Sequence, residues 1–225
     1  MSWVSTYFRS TIGAKQIMAL TGLGLMLFTL LHMVGHLLMF QGSDAYNAYA
    51  AKLQGLGALK WIARGGLLFI LTLHIAAAVR TSAVSRAARP TAYVRYEPRN
   101  STIASRTARL TGTVLFIFIA FHLAHFTFGA VQPEAYGHLD QAQRHDAYRM
   151  FVAGFQNVGL FAVYLVAIGL LAAHLGHGAS SWLQTLGVRH PKYDGAIAKL
   201  GPAMGVILFI GYMAPPLAVL IGQLK

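Results

Sequence analysis

Five stretches of this chain are each apolar for about twenty residues or more, and no other feature restricts its fold so strongly. They cover 17–40, 62–84, 110–131, 158–179 and 200–221. About twenty residues of α-helix cross ~30 Å of hydrocarbon, so each run is long enough to span a bilayer. A strand reading fails, because the runs do not alternate and are about twice the length of a barrel strand. The second run is the weakest. Arg64 and Arg80 lie near its ends, and their long side chains can reach opposite surfaces. The first run is too long for a signal-peptide core and has no clear cleavage site, which predicts a retained helix. The expected fold is therefore all-α: an integral membrane bundle of five transmembrane helices in a single membrane domain, 1–225, with no soluble domain and no obvious internal repeat.

Composition agrees. Hydrophobic residues make up 56% of the chain and charged residues 11%, against about 25% charged in a soluble domain. The net charge of +12 is a weak pointer to nucleic acid at so low a charge density; a membrane protein is the better reading. The absence of cysteine excludes disulfide scaffolds, zinc–thiolate sites, protein-ligated iron–sulfur clusters and thioether-attached heme. Twelve of the eighteen Lys and Arg residues fall in segments 1–16, 80–109 and 180–199, which five spans place on one side. The excess predicts a cytoplasmic N-terminus and an extracytoplasmic C-terminus. On the outer side, Asp44–Ala58 and His138–Phe155 are expected to form short amphipathic helices at the interface.

Seven of the ten histidines lie inside predicted spans: His32 and His36, His74, His122 and His125, and His174 and His177. Ionisable groups are costly in a bilayer and mark functional sites there. Counted from the span ends, His32 and His122 fall in the outer half, while His74 and His174 fall at the middle or toward the inner side. Two layers result, each supplied by two helices. Facing imidazoles at one depth can hold a heme iron from both sides, which predicts two hemes b ligated by His32/His122 and His74/His174. His36, His125 and His177 lie one turn nearer the surface than their neighbours. That position suits contacts to a heme propionate or a quinone, or simply hydrogen bonds between helices. Gly22, Gly24, Gly35, Gly65, Gly66, Gly169, Gly176 and Gly178 give room for a flat macrocycle or for close helix packing. No Asp or Glu falls within the five runs, unlike a proton-coupled transporter. No nucleotide motif or catalytic triad is present, so electrons must come from a partner. The arginine-rich segment 80–109 is a docking surface for a soluble subunit or a topology signal beside anionic lipid.

STIGAKQIMALTG and LHMVGHLLMFQGSDAYNAYA, followed in order by LTLHIAAAVR, TGTVLFIFIAFHLAHFTFG and LLAAHLGHGASSWLQTLG, resemble the diheme cytochrome b subunits of succinate:quinone oxidoreductases. The resemblance implies a five-helix anchor that binds a flavoprotein subunit and an iron–sulfur subunit on the cytoplasmic side. It implies the same histidine pairing, with menaquinone as the electron partner. The chain would be the non-catalytic heme and quinone subunit of succinate dehydrogenase, or of a fumarate reductase. A quinone site is expected at the outer end near Phe40, Gln41, Lys60 and Trp61, or at the inner end near Ser10, Lys15 and Arg80. The alternatives are a diheme anchor of a hydrogenase or formate dehydrogenase, and a non-redox transporter or scaffold.

Overall fold

The computed structural model describes all residues except 1, 90, 92–94, 96, 99, 100 and 189. Arg99 and Arg189 of the charge count, and Pro90 in the arginine-rich loop, lie outside the described residues. The described residues form eight α-helices: α1 (Trp3–Arg9), α2 (Thr11–Leu37), α3 (Ser43–Gln54), α4 (Ala58–Ala87), α5 (Ile103–His122), α6 (Ala147–Gln156), α7 (Val158–Thr185) and α8 (Asp194–Leu220). Five are long and apolar enough to cross a membrane, so the protein is an all-α, multi-pass membrane bundle.

The helices overrun the apolar runs, mostly on the side of the N-terminus. The 27 residues of α2 make about 40 Å of helix, which covers the headgroup layers as well as the hydrocarbon. Polar caps set the starts: Ser10 accepts from Gly13 N–H, Thr102 from Ser105 N–H and Asn157 from Leu160 N–H. Asp194 opens α8, where an acid suits the positive end of the helix dipole. The third run ends earlier than expected. A π-turn over Leu123–Thr127 closes α5, and Gly129 at φ +65° turns the chain away before Val131.

The far-side segments differ from expectation in kind. Residues 43–54 are helical as predicted, but 138–146 are not. There the Asp140 carboxylate accepts from the amides of Ala142 and Arg144 at 3.0 and 2.9 Å, and Leu139 bridges His145. A carboxylate that captures nearby amides competes with helix formation. Helix α6 begins only after Asp146, which caps it. Helix α6 packs most of its surface against the bundle. Tyr148, Met150, Phe151, Val152, Gly154 and Phe155 are all buried, and Tyr148, Phe151, Val152 and Phe155 pack with Met39, Tyr46, Tyr164 and Met213.

Helix pairs α2/α4 and α5/α7 pack side by side, meet along α2 and α7, and are backed by α8. The α7–α8 contact is close because Gly176 and Gly201 face each other: a Cβ at Gly176 would stand 2.9 Å from the Gly201 carbonyl oxygen. Helix α4 packs extensively only against α2, so the two pairs stand apart on the α4–α5 side.

Candidate functional site

Depth in the membrane follows from position along a helix, but facing does not, and the structure supplies it. His74 on α4 faces His174 on α7, with ring centroids 6.5 Å apart and planes at 71°. His32 on α2 faces His122 on α5 at 5.9 Å and 85°. These are the two pairs expected from depth. An imidazole nitrogen binds a metal at about 2.0–2.1 Å, and the ring centre lies about 1.2 Å behind it, so one metal between two rings needs centroids about 6.4 Å apart. The 6.5 Å of the His74–His174 pair matches that value, and the 5.9 Å of the His32–His122 pair falls about 0.5 Å short of it, so that pair must open slightly to share one metal. Among the described residues, no group of three or more His, Asp or Glu converges to hold a bare metal ion.

The near-side pair, on the side of the N-terminus, is held by matching devices. His74 Nδ1 lies 3.1 Å from the Met18 carbonyl oxygen and 3.2 Å from Thr21 Oγ1. A carbonyl only accepts, so Nδ1 carries the proton and Nε2 presents its lone pair. His174 Nδ1 lies 3.0 Å from Thr111 Oγ1, whose own proton goes to the Ala108 carbonyl at 3.1 Å. The hydroxyl therefore accepts from His174, and Nε2 is again bare. Fixing one ring nitrogen through a protein acceptor is how proteins orient metal-binding histidines. A Cβ on Gly22 would meet His74 Cε1 at 3.1 Å, and one on Gly112 would meet His174 Cε1 at 3.2 Å. Thus each ring rests on a Thr-Gly step of the neighbouring helix.

Sequence reasoning missed that device, although a signal was present. Leu20-Thr21-Gly22 and Leu110-Thr111-Gly112 each precede a far-side histidine, and in both cases the Gly-to-His spacing is ten residues. Leu25, Phe28 and His32 likewise match Leu115, Phe118 and His122 at the same spacing, a short correspondence between α2 and α5.

The far-side pair is less symmetrical. His122 Nδ1 is 3.3 Å from the Tyr164 hydroxyl. His32 Nε2 lies 3.2 Å from His36 Nε2, so these two nitrogens share one proton, and His36 Nδ1 meets the Tyr46 hydroxyl at 2.9 Å. For His32 to bind a metal through Nε2, the His36 contact must be given up. His125 is bonded at both nitrogens, to Tyr164 at 3.0 Å and Gln132 Oε1 at 3.1 Å. Protein groups therefore take both nitrogens of His36 and of His125. His177 is half-buried, one turn from His174 toward the N-terminal side.

The remaining candidates separate. Ser10 caps α2 and donates to the Tyr7 carbonyl, and Arg80 donates to the Phe8 carbonyl at 3.1 Å, so both tie down α1. Lys15 instead lines a cleft of about 280 Å³ with Ile12, Gln184 and Thr185. On the far side, Lys60 donates to the Gln54 carbonyl at 2.9 Å, and Lys60 and Arg64 both stack on exposed Trp61. Gln41 ends the 3-10 turn after α2, and Phe40 beside it is exposed.

Outside the spans, Arg144 clamps the far side. It donates to Asp44 at 2.6 Å and to Asp140 at 2.7 Å. The Arg144 hydrogen bond holds the Asp140 carboxyl below its usual range. Burial pushes the Tyr46 and Tyr148 phenols up.

Fold and site together define a five-helix membrane bundle with two stacked pairs of facing histidines. No family model, curated protein or solved structure matches the chain.

Proposed function

We propose that this protein is the membrane-anchor cytochrome b of a succinate:quinone oxidoreductase, holding two hemes b between His32 and His122 and between His74 and His174. The observation that carries the heme reading is the spacing of the two imidazole pairs, 5.9 and 6.5 Å between centroids. Two protein ligands per site suit a metal whose other positions are filled by a macrocycle. The gap between the helix pairs on the α4–α5 side, and the bare Nε2 atoms of His74 and His174, support the same reading. Bound there, each heme supplies one-electron chemistry between an iron–sulfur partner and membrane quinone. The chain's own residues orient the ligands: Thr21 and Met18 for His74, Thr111 for His174, Tyr164 for His122. No dicarboxylate chemistry is assigned to them.

The choice of succinate over hydrogen or formate as the electron source rests on the resemblance, above all LLAAHLGHGASSWLQTLG. With it come the flavoprotein and iron–sulfur partners, their cytoplasmic docking beside the arginine-rich loop, and menaquinone. The Lys15 cleft lies at that end of the bundle. A lysine ammonium, an amide and a hydroxyl beside Ile12 offer donors to the carbonyl oxygens of a quinone head, and Gln184 and Thr185 join Lys15 as candidates there.

The test is a reduced-minus-oxidised spectrum of the purified chain with heme quantitation. Two hemes b per chain are expected. His74→Ala and His174→Ala should lose one spectral component, and His32→Ala and His122→Ala the other. Loss of the same component from His32→Ala and His74→Ala would refute the pairing, and absence of a Soret band would leave a non-redox membrane protein. Succinate-driven heme reduction in native membranes decides the electron source.

A further inference from the structure

The hydrogen bonds on the far side run in one direction, and that direction is set at the surface. Gln132 lies in the loop after the π-turn and is partly exposed, while His125 is 2% exposed and Tyr164 4%. Its Oε1, 3.1 Å from His125 Nε2, can only accept, so His125 Nε2 carries the proton. A neutral imidazole then presents a lone pair at Nδ1, which takes the Tyr164 hydroxyl proton across 3.0 Å. The phenol oxygen, having donated, is left to accept from His122 Nδ1 at 3.3 Å. A neutral His122 protonated at Nδ1 has a bare Nε2. With the Gln132 amide oxygen toward His125, each later step follows from the last by donor and acceptor capacity.

Local structure makes the chain stiff. The π-turn Leu123–Thr127 contains His125, and the one Tyr164 hydroxyl meets Nδ1 of both rings, donating to His125 and accepting from His122. The His125 ring stacks on Phe126 with centroids 4.0 Å apart. It also rests against Gly154 of α6, where a Cβ would meet Cε1 at 3.2 Å. π-Turns within helices are frequent at functional sites.

We propose that Gln132, His125 and Tyr164 form a positioning relay in which an amide at the far surface fixes which nitrogen of the membrane-buried His122 is bare. The near-side histidines take their direction from Met18 and from Thr111 with Ala108, within one helix contact; His122 takes its own from a residue three links away. The consequence for metal binding rests on the reading of His32 and His122 as axial ligands, whereas the relay itself does not.

The test uses the full chain, heme-free in detergent micelles and labelled with ¹⁵N histidine, so that each ring nitrogen reports whether it is protonated. In the native sequence His122 shows a bare Nε2. Lysine at 132 only donates, so Gln132→Lys reverses every link, and the fraction of His122 protonated at Nε2 rises about tenfold or more. Gln132→Glu keeps an acceptor and, at a pH where His125 is neutral, leaves His122 unchanged. Tyr164→Phe removes the middle link, and adding Gln132→Lys to it produces no further change. If Gln132→Lys does not fold, Gln132→Leu, which removes the acceptor without adding charge, is read in the same way and mixes the two His122 forms. An unchanged His122 in Gln132→Lys, or in Gln132→Leu where that variant stands in, overturns the relay, as does a response that persists without the Tyr164 hydroxyl. In the heme-loaded chain, Gln132→Lys weakens far-side heme retention by about 10–100-fold and spares the near side. A His122 that follows Gln132 in a chain that binds no heme upholds the relay and removes the heme reading; heme binding with an indifferent His122 does the reverse.

Discussion

Adding one methyl group at Gly22 should weaken the near-side site without touching any ligand. In Gly22→Ala the new Cβ would stand 3.1 Å from His74 Cε1 and 3.4 Å from Nδ1, where ordinary contact begins at 3.4 Å. The ring must retreat by about 0.3 Å, the difference between 3.4 and 3.1 Å. That retreat carries Nδ1 away from Met18 and Thr21, where it makes contacts of 3.1 and 3.2 Å. Both contacts then exceed the usual ~3.2 Å limit of a good N–H···O bond. A neutral hydrogen bond contributes about 0.5–1.5 kcal/mol, so weakening two costs about 1–2 kcal/mol. At about 1.4 kcal/mol per factor of ten, the affinity of the proposed near-side heme should fall about 5- to 30-fold. Hemin titration of the heme-free chain, followed at the spectral component that His174→Ala removes, measures this. Gly24→Ala is the control on the same helix, because its Cβ meets only the mobile end of Ile70. Unchanged near-side affinity in Gly22→Ala, or a loss confined to the far-side component, refutes the reasoning.

Two further outcomes concern the far side. Asn47 is 1% exposed; it donates to Asp146 at 3.0 Å and accepts from Tyr148 N–H at 2.9 Å. Asn47→Ala leaves that buried amide unpaired and should cost about 1–3 kcal/mol in an SDS-unfolding titration, and a loss within error would show that the α3–α6 contact is not held there. Asp140 has a folded pKa below its unfolded one, so its contribution is full above about pH 4, the unfolded value, and disappears as pH falls through the lower folded value. Below about pH 4, amide exchange at Ala142 and Arg144 should rise beyond its intrinsic pH dependence, and in Asp140→Asn it should not; parallel profiles would remove Asp140 from the clamp.

How much was legible beforehand depends on the kind of information each feature needs. Five spans follow from apolar run length, because the bilayer fixes how long a crossing helix must be. The two histidine layers follow from counting along those spans, since depth grows by a fixed rise per residue. Tertiary structure alone decided direction around each helix. Helices that face lipid on one side and protein on the other are apolar all round, so the sequence carries little azimuthal pattern. The partners that orient the rings come from distant segments: Thr21 for His74, Tyr164 for His122, Tyr46 for His36. Which polar side chain meets which ring depends on helix rotation and crossing, and neighbouring residues do not encode that. Helix α6 shows the same limit. The amphipathic pattern of 138–155 predicts a short helix on the far side, but that α3, α7 and α8 pack around α6 depends on where those helices lie, which the segment's own residues do not encode.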